Sequence, residues 1–68
     1  MQTGIVKLWD KQKGYGFIIS EDEQEYFVHA RDLHISIKYN RLFEGQKVKF
    51  DTHYDMKGDK AINVKLIS

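Results

Sequence analysis

Aromatic side chains recur at a two-residue spacing in two nearby segments of the chain. Tyr15 and Phe17 lie in the first segment, and Phe27 and His29 lie in the second. Residues two apart in a β-strand point to the same face, so each pair would present its rings together. Rings of this kind stack on nucleobases, and every base has a π-face regardless of sequence. The pattern therefore indicates a surface that could bind single-stranded nucleic acid.

Lysines and glycines flank the first aromatic pair. Lys7 and Lys13 precede Tyr15, and their ammonium groups could contact phosphates and make binding dependent on salt. Gly14 and Gly16 would keep the backbone low beside the rings and leave room for a base to lie flat. Because a duplex hides the faces of its bases, this combination favours single strands.

The same aromatic spacing is also compatible with a hydrophobic core. If the ring-bearing faces point inward, His29 would be buried, which carries a desolvation cost unless its nitrogens are hydrogen-bonded. If instead Val6, Ile18 and Val28 form the core, the four rings become one exposed patch, and such patches usually mark binding surfaces. The sequence leaves both assignments open.

Residues that would support catalysis or metal binding are poorly represented. His29, His34 and His53 do not have the spacing of metal ligands, and the chain contains no cysteine. It also lacks a paired-carboxylate site and a phosphate-binding GxxxxGK loop. We therefore expect a protein that is not an enzyme and that needs neither metal nor cofactor.

The local pattern predicts five short β-strands joined by turns. Val48, Phe50, Thr52 and Tyr54 alternate with polar residues, which predicts a strand with one buried face. A later strand would place Ile62, Val64 and Leu66 on one side. Residues 31–43 are irregular and predict a long loop with one helical turn near 31–34. The predicted strands span residues 4–10, 15–20, 25–30, 46–54 and 60–67.

Length and composition limit the architecture. A chain of 68 residues predicts one domain, spanning residues 1–68. Five short strands cannot easily cover an open sheet, so we expect a closed barrel of the OB type, which has no exposed strand edges. The formal charge of +1 does not by itself indicate a nucleic-acid partner. The acidic residues at 21–25 predict a solvated turn. Without cysteines or an apolar run of membrane-spanning length, we expect a soluble cytoplasmic protein with no membrane partner.

The motifs in combination resemble the bacterial cold-shock domain family over essentially the whole chain. KGYGFI looks like the first RNA-binding motif of that family, and YFVH resembles the second. The matching segments, in order, are GIVK at 4–7, KGYGFI at 13–18, YFVH at 26–29, EGQ at 44–46, VKF at 48–50 and AINV at 61–64.

The resemblance implies a five-stranded antiparallel OB-type Greek-key barrel. It implies binding of single-stranded RNA and DNA with low sequence specificity, and an RNA chaperone activity that melts secondary structure without ATP. The residues that it assigns to stacking are Tyr15, Phe17, Phe27 and His29, with Tyr39 as a further ring in the long loop. It assigns backbone contacts to Lys7 and Lys13, and a basic position near the last turn to Lys57.

Several positions depart from the pattern of the family. Leu8-Trp9 stands where Trp-Phe is usual, Ala30 where phenylalanine is usual, and Asp59 where proline is common. Two missing rings could cost roughly 2–6 kcal/mol of binding free energy, at about 1–3 kcal/mol per base. Trp9 either turns onto the stacking surface and offsets part of this loss, or packs at the edge of the barrel.

A second interpretation is a barrel of the same type used as a protein-interaction module. The near-neutral charge and the missing rings favour it. We expect a monomer, and a domain-swapped dimer is compatible with the sequence.

Overall fold

The computed structural model describes residues 1–67 and consists of five strands and two short 3-10 turns. The strands are β1 (Gln2–Asp10), β2 (Tyr15–Ser20), β3 (Glu25–His29), β4 (Lys47–Asp55) and β5 (Gly58–Leu66), and the 3-10 turns span Ala30–Asp32 and Lys38–Asn40. Every predicted strand is confirmed to within two residues at each end. Ser68, the last residue of the predicted domain, lies outside the described residues.

The strands close into a barrel in the order β1-β2-β3-β5-β4. Four neighbouring pairs are antiparallel, whereas β3 and β5 pair in parallel through Phe27 and Lys60. The predicted five-stranded antiparallel barrel is confirmed, with this one parallel contact. In a closed barrel with an odd number of strands, strand directions cannot alternate at every contact. At least one pair of neighbouring strands must therefore be parallel.

A β-bulge in β1 changes which of its side chains face the core. Val6 pairs with Ile18 and Leu8 pairs with Phe17, so Lys7 is an extra residue on this strand. An extra residue shifts the two-residue alternation by one position. Val6 is therefore buried and Trp9 packs against the core, while Leu8 points outward and is 46% exposed.

A second bulge interrupts β5. Lys49 pairs with Lys65 and Asp51 pairs with Ile62, which places two residues between partners on β5 and one on β4. Asn63 in the bulge has a φ of 54°. As a result Ala61 and Val64 are both buried. The prediction that Ile62, Val64 and Leu66 share one side is correct for Val64 and Leu66 and wrong for Ile62, which the bulge turns to the other face. Leu66 lies near the end of the strand and is 43% exposed.

The buried face predicted for β4 is only half present. Val48 and Phe50 are fully buried, but Tyr54 is 77% exposed. Both faces of β4 are exposed from Thr52 onward, so the outer half of the β4–β5 hairpin projects beyond the core. Its two strands are joined by the two-residue turn Met56-Lys57, which is tighter than the predicted turn over residues 56–59.

The core lies between the inner faces of all five strands and includes Ile18, Val28 and Phe50, each with no exposed surface. Gly16 also faces inward. A Cβ atom built on Gly16 would lie 2.0 Å from the carbonyl oxygen of Leu8, so the glycine permits the close approach of β1 and β2. This is a different role from the flat binding surface expected from the sequence.

The segment between β3 and β4 contains the predicted helical turn as the 3-10 turn Ala30–Asp32, and a second turn, Lys38–Asn40, that the sequence did not predict. Ile37 and Leu42 are buried and attach this segment to the barrel. Among residues 1–67, no helix has the length and apolar character needed to span a bilayer.

Candidate nucleic-acid interface

The rings of Tyr15, Phe17, Phe27 and His29 lie on the outer face of the barrel, and we call these four residues the aromatic platform. Each is partly exposed, whereas Ile18 and Val28 on the opposite faces of the same strands are fully buried. The structure thus decides between the two assignments that the sequence left open, in favour of an outward-facing aromatic patch.

Strand pairing makes the aromatic platform continuous. Phe17 is the direct partner of Phe27, and Tyr15 is the direct partner of His29. The ring centroids of Phe17 and Phe27 are 5.8 Å apart with an interplanar angle of 75°. Those of Tyr15 and Phe27 are 5.5 Å apart at 36°. These contacts hold the rings in place before any ligand arrives, which lowers the entropic cost of binding.

His29 has a structural contact in addition to its place on the aromatic platform. Its Nδ1 accepts a hydrogen bond of 3.2 Å from the backbone N–H of Arg31 and caps the turn Ala30–Asp32. This bond fixes the orientation of the ring and assigns its remaining proton to Nε2 in the neutral form. The imidazole can therefore present a π-face and one N–H donor.

Leu8 extends the apolar surface of the aromatic platform next to Phe17. Its side chain is 46% exposed and occupies the outward position that follows the bulge in β1. Leucine provides apolar contact without a π-face, so this position can cover a base or ribose but cannot stack as a ring does.

Trp9 does not share the face of the aromatic platform. It is partly buried against the core, and its Nε1 is buried without a hydrogen-bond partner among residues 1–67. The exposed edge of Trp9 lines a shallow groove together with Lys11, Tyr39 and Arg41. Gly14 lines the same groove and directly precedes Tyr15, so the groove reaches the first residue of β2.

Tyr39 is 89% exposed and has a φ of 63°, a left-handed backbone conformation that is uncommon outside glycine. Tyr39 and Trp9 both line this groove. Lys11 and Arg41 are further groove residues that the sequence interpretation did not assign. Arg41 is distant from the motifs along the chain, and only the folding of the long loop brings it here.

The three lysines assigned to the interface differ in their surroundings. Lys7 Nζ lies 3.4 Å from Glu25 Oε2, and both side chains are 53% exposed. Lys13 is exposed in the turn after Asp10, whose carboxylate accepts a hydrogen bond from the Lys13 backbone N–H. Lys57 lies in the β4–β5 turn and lines a depression with Phe17 and Phe27. Lys7 is thus partly neutralised, because Glu25 offers it a competing carboxylate.

Residues 21–24 of the acidic segment form the exposed turn that was predicted between β2 and β3, and Glu25 begins β3. The Ser20 hydroxyl donates a hydrogen bond to the Asp22 carboxylate, and this bond lowers the pKa of that carboxyl below its usual value. Glu21 accepts a hydrogen bond from the Thr3 hydroxyl. Glu25 is the member of this segment that contacts a lysine of the interface.

Replacing Glu25 with glutamine is expected to increase affinity for a single-stranded oligonucleotide by up to about fivefold at low salt, the scale of an exposed ion pair. The change leaves Lys7 free to contact a phosphate and removes a negative charge near the ligand. Fluorescence anisotropy of labelled oligo-U at several salt concentrations would measure it. Glu23→Gln is the matched control, because Glu23 is exposed and its side chain makes no hydrogen bond or ion pair with residues 1–67. Equal affinities of the two variants would contradict a role for the Lys7–Glu25 pair.

Comparison with known proteins gives one consistent result. A family model described as "'Cold-shock' DNA-binding domain" matches residues 2–67. A cold shock-like protein of Aquifex aeolicus is 45% identical, and the match covers 94% of this chain and 91% of that protein. The cold shock protein CspC of Bacillus subtilis is 40% identical over 96% of this chain and 97% of its own length. A major cold shock protein of Streptococcus pyogenes is 39% identical, with 94% of each chain covered.

Proposed function

Because the chain belongs to the cold-shock domain family, a family of nucleic-acid-binding domains, we propose that it binds single-stranded RNA and DNA by stacking bases on the aromatic platform. The observation that carries the proposal is the outward position of four adjacent rings on β2 and β3 above a fully formed core. Rings that the core does not need, held in contact with one another, suit stacking on the bases of a single strand.

Stacking supplies most of the proposed affinity. Each base on an aromatic ring contributes about 1–3 kcal/mol, and little of this depends on which base is present. Phe17 and Phe27 are the central pair, while Tyr15 and His29 form the next pair along the strands. A strand of a few nucleotides could cover both pairs and continue towards Tyr39 and Trp9.

Phosphate contacts supply the rest. Lys57 lines a depression with Phe17 and Phe27. Lys7 pairs with Glu25 at the start of β3, and Lys13 lies in the turn that leads into Tyr15. If all three contact phosphates, the logarithm of the binding constant should fall with the logarithm of salt concentration with a slope of about −2, since each contact on a single strand contributes about −0.7. A contribution from Lys11 and Arg41 in the groove would make the slope steeper.

An RNA chaperone activity follows from this mode of binding. A ligand that binds only the open form of an RNA hairpin shifts the equilibrium towards that form by mass action. Stacking on the aromatic platform requires unpaired bases, so the domain would stabilise melted RNA without ATP and without catalysing a reaction. We propose that it acts as one domain spanning residues 1–68, as a monomer and without metal or cofactor.

The experiment that tests the proposed function is a titration of labelled seven-nucleotide oligo-U and oligo-dT with the protein. We expect anisotropy to rise at micromolar protein concentrations in low salt and to fall again as salt is added. Trp9 is the only tryptophan. A strand that continues into the groove should therefore also quench its fluorescence.

A longer, GC-rich blunt-ended duplex that stays paired in low salt is the control ligand, and it should bind more weakly because its base faces are covered. Unchanged anisotropy with both single strands would contradict the proposal. That result would favour the second interpretation, in which another protein covers the aromatic platform.

A further inference from the structure

A depression lies where the aromatic platform meets the turn of the β4–β5 hairpin. Phe17 and Phe27 form its apolar wall, and four of its polar lining residues are Arg31, Lys57, Asp59 and Lys60. Pairing between Phe27 and Lys60 joins β3 to β5 beside it. Residues from four separate parts of the chain therefore meet at one end of the stacking surface.

Two of the charged groups at the depression are already engaged. Lys60 Nζ lies 3.7 Å from Asp32 Oδ2, and both side chains are largely buried, at 26% and 16% exposure. Asp55, also at its rim, accepts a hydrogen bond of 3.3 Å from the backbone N–H of Lys57. The groups left to meet a ligand include the guanidinium of Arg31 and the carboxylate of Asp59.

The backbone of Asp59 is held in position, and the oxygens of its carboxylate are not buried. Its backbone pairs with Tyr54 in the hairpin, and the residue is half-buried. Its carboxylate makes no hydrogen bond or ion pair with any side chain of residues 1–67. A carboxylate at the edge of a surface that should attract phosphates is unfavourable unless it accepts hydrogen bonds from the ligand. A donor-rich edge of a base meets this requirement, and a phosphate does not.

We propose that this depression, which we call the Asp59 pocket, binds one guanine base and thereby gives the domain a base preference at one position. The inference rests on the proposed function, because the strand must first lie on the aromatic platform. Guanine would place its N1–H and N2–H donors against the carboxylate of Asp59. Its O6 and N7 acceptors would face the guanidinium of Arg31, the pairing that arginine makes most often with a base. The ring would contact Phe17 and Phe27.

The other bases match this pair of side chains less well. Uracil has one N–H donor between two carbonyl groups, which a carboxylate repels. Adenine and cytosine each offer one amino group next to an unprotonated ring nitrogen, so a carboxylate meets a single donor beside an acceptor. Only guanine has two adjacent donors on one edge and two adjacent acceptors on another.

The test compares labelled oligo-U heptamers that carry a single guanine at each position in turn with oligo-U itself. We expect one position at which guanine increases affinity about tenfold, within the range of a bidentate base contact. A heptamer with inosine, which lacks the N2 amino group, should show a smaller gain in affinity than the guanine heptamer. A heptamer with 7-deazaguanine, which lacks N7, should also show a smaller gain. These probes use the unaltered protein, so they do not depend on whether a variant folds.

Asp59→Asn and Glu23→Gln complete the test, since each removes one negative charge and only Asp59 lies in the pocket. Asp59→Asn should reduce the guanine preference but not abolish it, because the amide has a single acceptor oxygen for the two guanine donors and the contact of Arg31 with O6 and N7 remains. Glu23→Gln should keep the guanine preference. Equal binding of every heptamer by the parent protein would overturn the inference, as would a guanine preference that Asp59→Asn leaves unchanged. Failure of all heptamers to bind would instead overturn the proposed function.

Discussion

Replacing Phe17 with alanine is expected to weaken binding of oligo-U about 5- to 150-fold, the equivalent of about 1–3 kcal/mol for one stacked base. Phe17 lies at the centre of the aromatic platform, where it contacts Phe27 across the strand pair and borders Leu8. Its removal takes away a stacking surface and also the neighbour that holds Phe27 in place. Anisotropy titrations at fixed salt would measure the loss.

Phe17→Ala should leave the fold intact, because the ring is on the outer face and is not a member of the core cluster. Ile19→Ala is a matched control on the same face of β2, since it removes a partly exposed apolar side chain that has no ring. We expect the affinity of the control to change by less than about twofold. A Phe17→Ala protein that folds and binds like the parent would exclude stacking at this position. Loss of the fold would mean that the ring is structural.

Ile18→Ala, one residue along the strand, should instead lower the stability of the fold and leave the affinity for oligo-U nearly unchanged. Ile18 has no exposed surface and packs within the core cluster. Truncating a buried isoleucine to alanine costs about 2–5 kcal/mol, from lost transfer free energy and from the cavity left behind. A domain of this size has a total stability of roughly 3–10 kcal/mol, at about 0.05–0.15 kcal/mol per residue.

Urea unfolding followed by circular dichroism would give the free energy of unfolding of Ile18→Ala. Ile35→Ala is the matched control: the same substitution at a side chain that is 93% exposed should change stability by no more than about 0.5 kcal/mol. Where Ile18→Ala is still folded, its affinity for oligo-U should be close to that of the parent. A stable Ile18→Ala protein with weakened binding would mean that the inner and outer faces of β2 have been assigned the wrong way round.

The strands were predictable because their pattern is local. Each strand is a short run rich in β-branched and aromatic residues, and glycines or acidic turns separate most of the runs, so their bounds follow from the sequence to within two residues. The prediction failed where an extra residue shifts the alternation. The bulge at Asn63 makes Ala61 and Val64 inward-facing. The only mark of that shift in the segment KAINVKLI is a weak one, the asparagine itself, a residue type enriched at positive φ.

The bulge at Lys7 has the same kind of consequence for the candidate site. Leu8 and Trp9 look interchangeable from the sequence, since either could face outward. The extra residue turns Leu8 onto the surface beside Phe17 and Trp9 against the core. Whether a bulge forms depends on how β1 fits β2 and β4 at the same time, which is a property of the closed barrel and not of β1 alone.

The sequence by itself determined the family, the five strands and the residue types that could stack on bases and contact phosphates. These properties are encoded in short motifs, and they depend on neighbours within a few residues. Tertiary structure alone decided which face of β2 and β3 is exposed and that Glu25 competes for Lys7. It also decided that Arg31 and Asp59 line one depression with Phe17 and Phe27. The reason is that closing the barrel brings β3 against β5. Contacts between strands so far apart in the chain cannot be recognised from the local residue pattern of either strand.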